Sequence, residues 1–168
     1  IKCNRIWWEN FHRVILMKMY RLEKLRDEKD LLKKEVAKDI GVVESVYSEW
    51  ENGTLSIPTK RIYQLANYFE VNIDYIFELT EKRKHIISDK NIDILKVASR
   101  LKMVRKELKF TMRDLAKELN TSASAICNYE NGKFLILSPF LIQICKTYGY
   151  SIDWVLGRSE EKFIKNVK

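Results

Sequence analysis

Trp50-Glu51-Asn52-Gly53 returns, with Tyr for Trp, as Tyr129-Glu130-Asn131-Gly132, an offset of 79 residues that holds far beyond the tetrapeptide. The same offset pairs Arg21-Leu22 with Arg100-Leu101, Arg26 with Arg105, and Glu28 with Glu107. It also pairs Ala37-Lys38 with Ala116-Lys117, Gln64 with Gln143, and Ile73-Asp74 with Ile152-Asp153. Conservative pairs such as Val36 with Leu115 and Ile40 with Leu119 fill the intervals, without a gap, over roughly 60 residues. The 168-residue chain is therefore two copies of one small module.

Each copy reads as five short helices. In the second, Leu95, Ala98, Leu101 and Leu108 fall near a 3.6-residue period and predict a first helix over 90–108. Thr111 with Asp114 three residues on predicts a capping box for a second helix, whose Leu115, Ala116 and Leu119 face inward. Ser122 is placed to cap a third helix, which Asn131-Gly132 ends. Ser138-Pro139 reads as an N-cap followed by a first-turn proline, opening a fourth helix with Leu141, Ile144, Cys145 and Tyr148. Ser151 starts a short fifth helix carrying Ile152, Val155 and Leu156. The first copy follows suit with Val36, Ala37, Ile40, Trp50, Leu65, Ala66, Phe69, Ile73, Ile76 and Phe77. Five Gly and two Pro leave little room for a sandwich or barrel. The boundaries expected are a first domain over 1–81, a basic linker over 82–90 that includes Lys82-Arg83-Lys84, and a second domain over 91–168. Before the repeat begins, Trp7, Phe11 and Val14 share a helical face, so the first helix is expected to start early and pack that extension on a neighbouring surface.

A short helix, a three-residue turn, a second short helix and then aromatic-Glu-Asn-Gly resembles the Cro/repressor-type helix-turn-helix family, the xenobiotic-response-element group. The resemblance covers about 15–81 and 94–160 and is carried by Val36-Ala37-Lys38-Asp39-Ile40-Gly41-Val42 with Trp50-Glu51-Asn52-Gly53, and by Leu115-Ala116-Lys117-Glu118-Leu119-Asn120-Thr121 with Tyr129-Glu130-Asn131-Gly132. It implies an all-α fold of two tandem five-helix, lambda-repressor-like domains. Ala37 and Ala116 are small enough for two helices to cross closely, and Gly41 permits a tight turn in which Asn120, tolerant of positive φ, can replace it. Arg26 with Glu51 and Arg105 with Glu130, each 25 apart, resemble the family's structural ion pair and are assigned to stability.

The resemblance implies double-stranded DNA as partner, with the third helix in the major groove and the second over the phosphates. In the second copy this places Thr111, Met112 and Arg113 at the start of the positioning helix, Ser122, Ala123, Ser124, Cys127 and Asn128 on the reading surface, and Lys133 beside a phosphate. Met112 departs from the family's glutamine. In the first copy the corresponding residues are Lys33 and Lys34, then Val43, Glu44, Ser45, Ser48 and Glu49. Two carboxylates facing a polyanion are unfavourable, and residues 31–81 carry 5 basic against 9 acidic groups. The net charge of +8 sits elsewhere, with 10 basic against 3 acidic groups over 82–111. The second copy is therefore the expected base reader.

The expected activity is a sequence-specific transcription regulator, a repressor of phage or mobile-element type, acting on an asymmetric operator. The alternative is a protein-interaction module, an inhibitor or adaptor, on the same scaffold. Phe134, Leu135, Ile136, Leu137 and Phe140 form an apolar stretch that either docks on the other copy or meets a homodimer or protein partner. No enzyme is expected: His12 and His85 have no ligand or triad companions, and no Gly-rich phosphate loop is present. No cofactor or metal is expected, since Cys3, Cys127 and Cys145 form no cluster and suit a reducing compartment. A cytoplasmic location follows, with no membrane span and no signal sequence, because Arg5, Glu9, His12 and Arg13 interrupt any apolar core.

Overall fold

The computed structural model describes residues 18–164. The expected helical extension around Trp7, Phe11 and Val14 lies outside them, as do Cys3 and His12. Among the described residues ten helices run in order: α1 Tyr20–Asp27, α2 Lys33–Ile40, α3 Glu44–Asn52, α4 Thr59–Tyr68, α5 Ile73–Ile76, then α6 Ile94–Glu107, α7 Met112–Glu118, α8 Ala123–Glu130, α9 Ser138–Tyr148 and α10 Ile152–Val155. The fold is all-α, two five-helix units in tandem. Among the described residues none of these helices is long and apolar enough to cross a membrane.

Local chemistry sets most boundaries. Thr111 and Asp114 form the expected reciprocal box, with Thr111 N–H donating to Asp114 at 2.8 Å and Asp114 N–H to Thr111 Oγ1 at 3.1 Å. Ser122 caps α8 through Ala125 N–H, and Ser151 caps α10 through Trp154 N–H. The turn between α2 and α3 begins with Gly41 at φ 71°, and its counterpart Asn120 takes φ 50°, the substitution the sequence anticipated. The helix expected over 90–108 starts later, because Asp93 accepts the N–H of Lys96 and stops it there. Leu95 lies within the helix yet is 72% exposed, because the inward face is Val97, Ala98, Leu101 and Val104.

The repeat persists at atomic detail. Arg26 Nε lies 2.7 Å from Glu51 and Arg105 Nε 2.6 Å from Glu130, each guanidinium also donating to a carbonyl five residues on, Leu31 or Phe110. Arg21 stacks 4.4 Å from the Tyr75 ring and donates to the Tyr75 and Thr80 carbonyls. Arg100 stacks 4.9 Å from Trp154 and donates to the Trp154 and Ser159 carbonyls. The segment after each fifth helix folds back on its own unit: Asn72 N–H meets Lys84 O at 3.1 Å, and Ser151 N–H meets Lys162 O at 2.9 Å. Within Lys82-Arg83-Lys84, Arg83 pairs with Glu28 and Lys84 with Glu161.

The two units meet across a seam whose contacts are reciprocal. Thr59 Oγ1 donates to Ile136 O at 2.6 Å, while Ser138 Oγ donates to Ile57 O at 2.5 Å. Ile57 and Ile136 hold equivalent positions in the repeat, as do Thr59 and Ser138. Asp74 accepts from Ile152 N–H at 2.7 Å, and Asp153 accepts from Asp74 N–H at 3.0 Å. When residue i of one unit meets j of the other and j meets i in return, the relation is a two-fold rotation and not a translation. Ser138 therefore does not cap α9 as expected. Leu137 occupies that position, and the Ser138 hydroxyl is spent across the seam.

The exchange is not complete. Arg158, whose counterpart is Leu79, is buried across the seam, paired with Asp153 and donating to Val71 O at 3.0 Å and Asn67 Oδ1 at 2.9 Å. The apolar stretch is divided by the same seam: Ile136, Leu141 and Ile142 are buried within the chain, whereas Phe134 and Leu137 are each 55% exposed.

Candidate nucleic-acid interface

In each unit a helix of seven or eight residues, a tight turn and a second helix form a corner, α2–α3 and α7–α8. The corner is fixed from behind. Val36, Ala37, Tyr47 and Trp50 in the first unit, and Leu115, Ala116 and Ile126 in the second, are buried, and the Arg–Glu pair ties the end of the second corner helix to α1 or α6. Glu51 and Glu130 are almost wholly buried, so each needs its guanidinium, and hydrogen bonding to the carboxylate pushes both arginines up from their ordinary values. These four residues are structural.

The comparisons with known proteins agree. A family profile described as a helix-turn-helix matches residues 22–76, and a second, described as a helix-turn-helix domain, matches residues 86–161. The chain belongs to the Cro/repressor-type helix-turn-helix family. A 72-residue stretch is 31% identical to the HTH-type transcriptional regulator YobD of Bacillus subtilis (strain 168), covering 43% of this chain and 64% of that protein. The chain thus spans less than two thirds of that relative's length. No solved structure matches significantly.

In the second helix-turn-helix domain, Thr111 and Arg113 are exposed at the start of α7, while Met112 is half-buried against the core. Ser122 and Ser124 are exposed at the start of α8, and Ala123, Cys127 and Asn128 are half-buried along it. The Ser122 hydroxyl is already committed as a cap. Cys127 Sγ accepts from Asn131 Nδ2 at 3.3 Å. Lys133 is exposed just past α8 with its ammonium 5.6 Å from the Phe134 ring centroid. Among the described residues neither Arg113 nor Lys133 is held in an ion pair.

The first domain offers a different surface. Lys33, the counterpart of Met112, turns to the buried carboxylate, with its Nζ 3.3 Å from Glu51 Oε2 and 3.4 Å from Ser48 Oγ. Ser48 is half-buried and also accepts from Asn52. Lys34, Glu44, Ser45 and Glu49 are exposed, and so is Val43, at 64%. Of the two lysines read from the sequence, Lys34 alone projects without a carboxylate partner among the described residues.

Two features that position the corners escaped the sequence reading. One is the paired stack of Arg21 and Arg100 over the fifth helices, which carried a signal in the repeat itself. The other is the reciprocal seam, whose residues Thr59, Asp74, Ser138 and Asp153 look like ordinary turn and cap residues until the partner surface is known. Cys145 is buried as the pattern implied, and burial pushes its thiol well up.

Proposed function

We propose that this chain is a cytoplasmic DNA-binding transcription regulator that engages duplex DNA as a single-chain pseudodimer, with the second domain as principal base reader. Duplex DNA has local two-fold axes, so a protein with two-fold related reading helices meets inverted half-sites, whereas translated helices meet direct repeats. The observation that carries the reading is the reciprocal exchange of Thr59 with Ile136 and Ser138 with Ile57. In the second half-site, Ser124 and Asn128 reach base edges, Asn being able to bond adenine bidentately, while Thr111, Arg113 and Lys133 engage phosphates. In the first, Ser45 and the two glutamates offer acceptors to cytosine N4 and leave Lys34 for the backbone. The half-sites are therefore inverted but unequal. Blocking transcription at such an operator, in a phage or mobile element, is the mode of regulation this reading favours.

The test is selection of bound sequences from random duplex DNA with the full chain. Two unlike half-sites in inverted orientation, centred about 34 Å apart, are expected, with affinity falling steeply with salt. Direct repeats would remove the pseudodimer, and the absence of any salt-sensitive, sequence-selective complex would remove DNA as the partner.

A further inference from the structure

We propose that a cleft on one side of the seam binds a small organic anion with a compact apolar body. The cleft, of about 170 Å3, lies where α4 of the first domain faces the approach to α6 of the second. An engineered protein cavity of about 150 Å3 accommodates benzene, so this space suits one ring with a charged substituent.

Its lining is amphipathic. Ile92, Ile94 and Leu135 supply apolar surface from the second domain, and the Tyr63 ring supplies it from the first. Lys60 of α4 and Lys90 at the end of the linker contribute the charge, and both are exposed. Neighbouring cations have occupations: Arg61 donates to Ile40 O and Gln64, Lys96 pairs with Glu160, and Arg158 is buried on Asp153. Lys60 and Lys90 have none among the described residues. The nearby Asp93 does not neutralise them by contact, since its carboxylate caps α6. Two unpaired ammonium groups at the edges of one apolar-floored cleft form a surface complementary to an anion.

Duplication does not explain this chemistry. The two-fold counterparts of Lys60, Tyr63 and Leu135 are Pro139, Ile142 and Ser56, so the other side of the seam carries neither the lysine nor the aromatic wall. The cleft also touches the element that relates the two domains. Leu135 immediately precedes Ile136, whose carbonyl holds Thr59 across the seam. A ligand wedged against Leu135 and α4 biases the angle between the domains and hence the spacing of α3 and α8. That regulatory consequence rests on the DNA reading above. The binding does not.

Isothermal titration of benzoate into the full chain tests the site without DNA. Saturable one-to-one binding is expected, weakened about tenfold in a Lys60→Gln/Lys90→Gln double variant, as loss of two solvent-exposed charge contacts predicts. Unchanged thermal melting of that variant is expected, because both side chains are exposed and unpaired. Benzyl alcohol, a neutral analogue, should bind far more weakly, and phenyl phosphate set against benzoate tells whether a phosphate ester or a carboxylate is preferred. No saturable benzoate binding, equal affinity in the double variant, or equal affinity for benzyl alcohol would each overturn the site. If benzoate binds and the selected DNA complex is unaffected by it, the regulatory consequence is lost. If no DNA complex forms at all while benzoate still binds, it is the DNA reading that has failed.

Discussion

Asp153 accepts the backbone N–H of Asp74 at 3.0 Å, and Asp74 in turn accepts the N–H of Ile152, so each aspartate holds the amino-terminal end of the other domain's fifth helix. The exchange brings two carboxylates together in a buried place with one guanidinium, and that guanidinium, Arg158, sits on Asp153. Asp74 is hydrogen-bonded by the Ser151 hydroxyl and the Ile152 N–H and feels Lys84 only as a weaker, non-contact charge. Burial, reinforced by the Asp153 charge, pushes the Asp74 carboxyl up to about 7.

A pH dependence follows with a definite sign. In the unfolded chain an aspartate releases its proton near pH 4, whereas folded Asp74 keeps it until about 7. Its contribution to stability is therefore fully present at low pH and declines as pH rises from about 4 to about 7, after which it is flat. Asp74→Asn retains an acceptor for Ile152 and removes the charge. Relative to wild type, the variant should gain roughly 2–3 kcal/mol of stability on going from pH 5 to pH 8 and melt correspondingly higher there. Parallel melting curves of the two proteins across that range would contradict the burial of a titrating Asp74.

Arg158→Met should be among the most destabilising single changes in the chain. It strands the Asp153 carboxylate, itself 1% exposed, and leaves the Val71 carbonyl without its donor, while Asn67 Oδ1 keeps only the Ser88 hydroxyl. Removing one partner of a buried pair costs about 3–5 kcal/mol. Arg83→Met, which breaks an exposed pair with Glu28, should cost at most about 1 kcal/mol. Chemical denaturation of the two variants measures the contrast, and similar midpoints would refute it.

The contrast between these two arginines also shows what a sequence can disclose. The Arg26–Glu51 and Arg105–Glu130 pairs were legible because they recur at one spacing inside one unit, and so were the Thr111 box and the αL turn at Gly41 and Asn120. Ser138 was misread because a serine before a proline satisfies a local rule, and the local rule lost to a carbonyl in the other domain. Leu95 was misread because the helix that Asp93 opens turns Val97, Ala98, Leu101 and Val104 inward and leaves Leu95 on its outer face. On the candidate interface, the family resemblance singled out Ser124, Asn128 and Lys133, of which Ser124 and Lys133 are exposed and Asn128 half-buried, but nothing in the sequence said that Lys33 would be drawn inward by Glu51. Long-range electrostatics of that kind has no period.

The turn between α2 and α3 offers a paired test of backbone chemistry. Gly41 has φ 71° and open space where a Cβ would go, so Gly41→Ala should cost about 1 kcal/mol through conformation alone. Asn120 holds the equivalent place at φ 50° and bears a side chain there, so Asn120→Gly should stabilise by a few tenths of a kcal/mol. Opposite signs in urea denaturation are the expected result, and a stabilising Gly41→Ala would mean that this turn does not hold its left-handed geometry in solution.

The two reading helices should respond in opposite directions to loss of polarity. Asn128 and Lys133 stand on and just past α8, whereas Glu44 and Glu49 project from α3 with no cation paired to them among the described residues. Asn128→Ala should relax base preference at one position of the second half-site at a cost of about 1–3 kcal/mol, and Lys133→Gln should weaken binding to all sequences alike and reduce the salt slope by about one. Glu44→Gln with Glu49→Gln removes two carboxylates from the neighbourhood of phosphates, so non-specific affinity should rise and discrimination at the first half-site should fall. Fluorescence anisotropy against the selected operator and a scrambled duplex, at two salt concentrations, measures all three effects. Should the double glutamate change leave both affinities untouched while Asn128→Ala abolishes discrimination, the first domain does not approach DNA, and the seam serves only to position the second.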